Sequence, residues 1–79
     1  MEKSNVEKVK DYVTKVLEES LKYDKTIEDR ARSRSRAFGG IDFAIQVGFV
    51  EYEEINDWWE CEMHPKFTSP ILREILENL

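Results

Sequence analysis

The sequence has a single cysteine, no long hydrophobic run and no secretion signal. Cys61 has no second cysteine to pair with, so no disulfide bond can form within the 79-residue chain. No hydrophobic run approaches the roughly 20 residues that cross a membrane, and the first residues lack the hydrophobic stretch of a signal peptide. These absences predict a complete cytoplasmic protein in which residues 1–79 form a single domain with a small core.

Strand-forming patterns and helix-breaking residues are also scarce. No segment alternates hydrophobic and polar residues between turns, and neither Gly nor Pro occurs before Gly39. Hydrophobic residues recur instead every three or four positions, which is typical of amphipathic helices. We therefore predict a small all-α domain of three to four helices.

The first two helices are marked by residues that cap helix ends. Ser4 and Thr26 each begin a capping-box pattern, which predicts a helix start at both places and a bend at residues 24–26. Gly48 can adopt a positive φ and predicts the end of the second helix. The sequence thus indicates a hairpin whose central helix covers about residues 26–47.

Each of these helices has a hydrophobic stripe that predicts its core face. The first stripe is Val6, Val9, Val13, Val16 and Leu17, continued by Ser20 and Tyr23. The second stripe is Ile27, Ala31, Phe38, Ile41 and Ile45, interrupted by Arg34. Phe43 and Val47 lie on the opposite side of the second helix, and a helix that is hydrophobic on two sides is usually covered on both.

A spacing of seven supports a different arrangement of the same residues. Positions 6, 13, 20, 27, 34 and 41 form one line along a helix, and positions 9, 16, 23, 30, 37 and 44 form another. One long helix over residues 5–47 would then belong to a dimeric coiled coil and be followed by two short helices. The sequence leaves the hairpin and the long helix both open.

The last third of the chain predicts two further helices. The acidic run that begins at Glu51 favours the start of a third helix, because carboxylates stabilise helix N-termini. Its predicted core stripe is Tyr52, Ile55, Trp59 and Met63. Pro65 is predicted to end it, and the Ser69–Pro70 pair predicts the start of a short fourth helix.

Charge is divided unevenly along the chain. Residues 1–36 have ten Lys/Arg against eight Asp/Glu (+2), and residues 37–79 have two against nine (−7), which together give the net charge of −5. Such a balance disfavours general nucleic-acid binding, which needs a basic face. The segment around Phe43 and Gly48 resembles a helix-turn-helix, but the helix after it has six acids and no base between residues 51 and 62. A DNA-reading regulator is therefore disfavoured as well.

Four arginines at alternate positions form a candidate anion site. Because successive residues turn by 100° around a helix, Arg30 and Arg34 fall on one side and Arg32 and Arg36 on the other. Salt bridges to the acids of the third helix are one interpretation. The other is a phosphate or nucleotide site that uses the guanidinium groups with the backbone of the Gly39–Gly40 pair. Glycines in mid-helix also predict the close approach of another helix.

Two adjacent tryptophans provide a candidate protein-binding surface. Trp59 fits the core stripe, whereas Trp58 points about 100° away, towards acidic neighbours. Tryptophan is enriched at the energetic centres of protein interfaces. The predicted contact surface is Trp58, Glu54, Asp57 and Glu62, with a second subunit as the alternative cover for Trp58.

No set of residues predicts catalysis, a metal site or a cofactor. Cys61 and His64 supply at most half of a zinc site, and neither has a partner that would orient it for nucleophilic catalysis. The segments 36–40 and 48–50, followed by the acidic pair at 53–54, resemble small bacterial or phage proteins of no named family.

These features together predict a small protein-binding module that is also a homodimer. We expect it to inhibit or regulate a larger partner, with its acidic face blocking a basic groove, and to have no enzymatic activity. A phage or mobile genetic element is the expected source. The alternative is a binder or sponge for small anions or nucleotides that uses the Arg30–Arg36 segment.

Overall fold

The structure, a computed structural model, describes residues 3–68 and residue 77 and is all-α within them. Helix α1 is Asn5–Tyr23, α2 is Ile27–Gln46, α3 is Tyr52–Trp58, and a π-helical turn at Trp59–Met63 follows α3 directly. Residues 64–68 are helical again. The prediction of a small all-α fold is confirmed. None of the described helices is long and hydrophobic enough to cross a membrane.

The predicted bend between the first two helices is confirmed. The Ser4 hydroxyl oxygen accepts a hydrogen bond from the backbone N–H of Glu7 at 3.2 Å at the start of α1. Asp24 then has an extended backbone, which ends α1, and the Thr26 hydroxyl oxygen caps α2. The alternative of one helix over residues 5–47 is wrong, because the chain leaves the helical conformation between these caps.

Replacing Thr26 with alanine is expected to lower the free energy of unfolding by about 1 kcal/mol, since the α2 N-terminus loses its side-chain cap. The hydroxyl oxygen of Thr26 accepts a hydrogen bond from the Asp29 amide at 3.0 Å. Urea denaturation followed by circular dichroism measures the change. Ser35→Ala, in the exposed middle of α2, is the control and is expected to change stability little. Equal losses in both variants would show that the cap has no special role.

The end of α2 is a Schellman motif. Gly48 has a φ of 76°, its N–H donates to the Ile45 carbonyl at 3.1 Å, and the Phe49 N–H donates to the Ala44 carbonyl at 2.8 Å. The prediction that Gly48 ends the central helix is confirmed. The sharp turn brings Val50 into the core and leaves Phe49 exposed.

The hydrophobic core lies between the hairpin and the segment that starts at α3. Its buried residues are Val9, Val13, Val16, Leu17, Ala37, Ile41, Ala44, Val50, Ile55, Trp59, Met63 and Phe67. The first predicted stripe is confirmed from Val9 to Ser20, whereas Tyr23, at the end of α1, is exposed.

The predicted core face of α2 is confirmed at one end of the helix and wrong elsewhere. Ile41 is buried and Ile45 is partly buried against the core, whereas Phe38 is an exposed aromatic. The face that packs on α1 is instead made of small residues with Ile41: Ser33, Ala37 and Ala44. Small side chains let two helices approach closely, so the larger residues of α2 lie at its flanks.

The third helix is longer than the sequence predicts. Ile55, Trp59 and Met63 are buried as predicted, but Tyr52 is exposed. The chain also stays helical through Pro65, so the predicted end is wrong. In the π-helical turn the N–H of His64 donates to the carbonyl of Trp59, five residues earlier, and this wider turn accommodates a proline that has no N–H of its own.

This continuation has a consequence for the core, because it buries Phe67. The fourth helix predicted from Ser69 onwards lies outside the described residues, apart from Glu77, which is helical and exposed.

Candidate functional site

A hydrophobic groove runs between α1 and α2 at the open end of the hairpin. This apolar groove has a volume of about 380 Å³ and is lined by Lys8, Val9, Tyr12, Gly40, Phe43, Ala44, Val47 and Phe49. The large side chains Tyr12, Phe43, Val47 and Phe49 are between 41% and 67% exposed. Several large hydrophobic residues exposed together typically mark an interaction site. This groove is not among the candidate sites predicted from the sequence. The hydrophobic residues Phe43 and Val47 on the second side of α2 were the feature that could have indicated it.

Gly40 and Asn5 shape the groove. A Cβ atom on Gly40 would lie 2.6 Å from Cε1 of Tyr12, so the absence of a side chain lets the Tyr12 ring lie against α2. The Asn5 side chain donates a hydrogen bond to the Phe49 carbonyl at 3.1 Å and ties the start of α1 to the turn after α2. The close approach predicted for the glycine pair thus holds for Gly40, whereas Gly39 has open space where its Cβ would be.

The closed end of the hairpin contains a second cavity, which is polar. This polar pocket has a volume of about 320 Å³ and is lined by Glu19, Ser20, Tyr23, Asp24, Asp29, Arg32, Ser33 and Arg36. The Ser20 and Ser33 hydroxyls both donate to Oδ2 of Asp24 at 2.5 Å. Since Ser20 lies in α1 and Ser33 in α2, Asp24 joins the two helices through a shared acceptor. The sequence analysis did not predict this cluster.

The four arginines do not form one site. Arg32 lies 4.0 Å from Asp29 and Arg36 lies 3.5 Å from Glu19, so the ion pairs of these two arginines involve carboxylates of α1 and α2 rather than of α3. Arg30 and Arg34 are half-buried and line neither the groove nor the pocket. The division into two pairs is the one that the helical period predicts.

The carboxylates beside Arg32 and Arg36 give little support to the anion site that the sequence predicts at Arg30–Arg36. Arg32 and Arg36 share the polar pocket with Glu19, Asp24 and Asp29, whose carboxylates compete with any bound anion. Binding of a phosphate or nucleotide at the arginines stays a prediction.

Two charged groups have shifted pKa values. A hydrogen bond from the backbone N–H of Lys25, at 3.2 Å, holds the pKa of Asp29 below its ordinary value, and hydrogen bonds from Thr26 add to this effect. Because the pKa is lower in the folded state, this carboxylate favours folding above its ordinary pKa and loses that effect as the pH falls through the lowered value. A hydrogen bond to the Asp11 carboxylate raises the pKa of Lys3, at the exposed start of the described chain.

The segment from Glu51 to Glu62 is rich in exposed acidic residues. We call it the acidic face; its carboxylates are Glu51, Glu53, Glu54, Asp57, Glu60 and Glu62, and all six residues are exposed. The Glu54 carboxylate accepts a hydrogen bond from the Glu51 amide at 2.9 Å and so completes the cap of α3. In the part of the chain that the structure describes, the one side chain of this face that lies near a nitrogen of a basic residue is Glu60, 4.0 Å from Nδ1 of His64.

Trp58 lies at the edge of the acidic face and is partly covered by its own chain. It is half-buried against the core, and Nζ of Lys10 lies 5.4 Å from the centroid of its ring. The predicted contact residues Glu54, Asp57 and Trp58 therefore share α3, while Glu62 lies in the π-helical turn. The π-helical turn changes the angular spacing of its residues, so Glu62 does not continue the α-helical period of Glu54 and Asp57.

Cys61 is exposed, and no three His, Cys, Asp or Glu residues within 3–68 and 77 are grouped to hold a metal ion.

No family model matches this chain, and no curated protein or solved structure shows significant similarity to it. Two exposed surfaces, the apolar groove and the acidic face, are therefore the basis for inferring a function.

Proposed function

We propose that this protein is a small binding module that inhibits or regulates a larger protein, and that the acidic face is its contact surface. The observation that supports this proposal is the exposure of six carboxylates on one short segment, with five of them in no ion pair within the described residues. Like charges held close together repel each other and destabilise a fold. A basic groove on a partner removes that repulsion on binding.

Trp58 extends the acidic face with a hydrophobic contact. Its ring is partly exposed beside Glu54 and is supported from behind by the core and by Lys10. An aromatic side chain held in place loses little conformational entropy on binding, which makes it a suitable anchor beside charges that steer the approach. The partner surface would then combine Lys or Arg side chains with a hydrophobic recess.

The acidic helix suits a target that normally binds nucleic acid. Such a target has a groove lined with basic residues that bind phosphate groups. A small acidic protein that occupies this groove blocks access to it through the same electrostatic attraction. The predicted contact residues are Trp58, Glu54, Asp57 and Glu62.

Reversing two charges on the acidic face is expected to weaken partner binding at least 10-fold, by an order-of-magnitude estimate for juxtaposed like charges. Asp57→Lys with Glu62→Lys is the sharpest variant, because neither residue caps a helix, whereas Glu54 caps α3. Immobilised wild-type and variant proteins would be compared for retention of cytosolic proteins. Calorimetry with the retained protein then gives the affinity.

Glu18→Lys with Glu28→Lys is the matched control, because both residues are exposed and lie outside the acidic face. This variant has the same net charge as the test variant and is expected to bind like the wild type. If the two variants bind the partner equally, the acidic face is not the contact surface.

A further inference from the structure

We propose that the apolar groove is the interface of a symmetric homodimer, in which α1 and α2 of two copies form a four-helix bundle. The proposed function does not use this groove. Lys10 and Phe38 contact Trp58 and Trp59 of the segment that carries the acidic face. Tyr12 lies two residues from Lys10, which turns it by about 200° around α1, so the centre of the groove and Trp58 are on different sides of α1. The two surfaces come together near the turn after α2, where Phe49 and Glu54 line a common cavity.

The chemistry of the groove suits a second copy of this chain. Tyr12, Phe43, Val47 and Phe49 project from both helices and from the turn after α2, and Gly40 contributes no side chain to the groove. Projecting side chains beside a recess on one face suit the packing of helices against helices. A second hairpin presents the same complement of aromatic and aliphatic side chains.

The charges around the groove also favour a second copy of this chain. The residues that line the groove and the polar pocket are charge-balanced: Lys8, Arg32 and Arg36 are basic, and Glu19, Asp24 and Asp29 are acidic. The chain as a whole has a net charge of −5, so two copies repel each other at most orientations. A neutral face lets a second copy approach here, whereas a basic partner is attracted more strongly to the acidic face.

The apolar groove and the polar pocket follow one another along the same face of the hairpin. The apolar groove lies at the open end of the hairpin and the polar pocket at the closed end, and Arg36 lies one helical turn before Gly40. A two-fold axis parallel to the hairpin places groove against groove and pocket against pocket. In that arrangement Glu19 of one copy faces Arg36 of the other, so the contact is self-complementary.

The face that contains the groove and the pocket is large enough for a specific interface. Helix α2 has 20 residues, so the face is about 30 Å long, and two adjacent helices make it about 20 Å wide. That is about 600 Å² on each copy and about 1,200 Å² in total, which reaches the lower limit for stable specific interfaces. Domains of this length have small cores, and association with a second copy is a common way to stabilise them.

Light scattering coupled to size-exclusion chromatography tests the dimer with the full chain. The wild type is expected to have the mass of two chains, and Phe43→Glu that of one. Each dimer contains two Phe43 side chains, and the loss of a central aromatic contact weakens binding about 30-fold, so the dissociation constant is expected to rise about 1,000-fold. Circular dichroism should show the same helix content for Phe43→Glu as for the wild type, because Phe43 is exposed.

Leu21→Glu is the matched control. Leu21 is 55% exposed, and nine residues from Tyr12 place it about 180° away around α1. This variant is expected to remain a dimer. If Leu21→Glu dissociates the dimer and Phe43→Glu does not, the interface is on the other side of α1 and the proposal is overturned.

A wild-type monomer at every concentration would also overturn the proposal, and the behaviour of Phe43→Glu would then identify the true occupant of the groove. Lower stability of that variant would indicate the segment 69–79 of the same chain. Loss of a retained partner would indicate a heterologous protein. The acidic-face variant Asp57→Lys with Glu62→Lys is expected to stay dimeric, so failure of the dimer and failure of the proposed function give different results.

Discussion

Replacing Phe67 with alanine is expected to lower the free energy of unfolding by about 3–5 kcal/mol, the largest effect of any substitution considered for this protein. Phe67 is 1% exposed, and its ring centroid lies 5.9 Å from that of Trp59. Truncation leaves a cavity beside Trp59 that a small core cannot close. Stability of a domain of this size is itself only roughly 5 kcal/mol, so the variant should be largely unfolded at moderate temperature.

Urea denaturation measures this loss, and Leu21→Ala is the control because it truncates a large hydrophobic side chain that is exposed and lies outside the proposed dimer interface. Leu21→Ala is expected to change the stability by less than about 0.5 kcal/mol. Phe67→Leu keeps most of the volume and should lose less than about 1.5 kcal/mol, which gives a measurable intermediate. Comparable losses for Phe67→Ala and Leu21→Ala would mean that the helix does not continue past Pro65 as described.

Replacing Asp24 with alanine is expected to cost about 1–3 kcal/mol, because two hydroxyl groups lose their acceptor in a buried place. Ser20 is 1% exposed and Ser33 is 8% exposed, and both donate to Oδ2 of Asp24 at 2.5 Å. This cluster of Ser20, Asp24 and Ser33 lies at the closed end of the hairpin, next to the turn that joins α1 to α2. Thermal or urea denaturation detects the loss, and Glu28→Ala, at an exposed position beside the turn, is the control.

The triple variant Ser20→Ala, Asp24→Ala and Ser33→Ala separates hydrogen bonding from packing. It removes the donors together with the acceptor, so no buried hydroxyl is left without a partner, and it should be more stable than Asp24→Ala alone. The opposite order of stability would indicate that the serines stabilise the hairpin through packing and not through their bonds to Asp24.

The two proposals together describe a bivalent molecule. A dimer joined through the apolar groove carries two acidic faces on its outer sides, since that face lies on α3. Two linked faces bind a target with two basic sites more tightly than either does alone, provided that the spacing allows both contacts. Phe43→Glu would then weaken binding to such a target without altering the acidic face.

The boundaries of α1 and α2 proved to be the most predictable part of the fold. Ser4, Thr26 and Gly48 mark ends of α1 and α2 in the sequence, and the same residues cap these helices in the structure. Capping bonds join groups within about five residues, so their chemistry is visible in a short stretch of sequence. The spacing of seven is also a local pattern, but it did not produce one long helix, because the caps at residues 24–26 end α1 and start α2.

Burial was less predictable, as α2 and Pro65 show. The stripe predicted for α2 contained its large hydrophobic residues, yet the helix packs on α1 through Ser33, Ala37 and Ala44. Which face of a helix is buried depends on the space between neighbouring helices. Where that space is narrow, the face with small side chains is the one that is buried. Pro65 was predicted to end the third helix, but the π-helical turn before it lets the helix continue and buries Phe67.

The sequence by itself determined the all-α class, the two capped helices of the hairpin and the acidity of α3, because each depends on neighbours along the chain. Tertiary structure alone decided that Tyr12, Phe43, Val47 and Phe49 form one exposed groove and that Arg32 and Arg36 share a polar pocket with Glu19, Asp24 and Asp29. These groupings join residues of separate helices. Their positions follow from how closely α1 and α2 pack, which no single segment of the chain specifies.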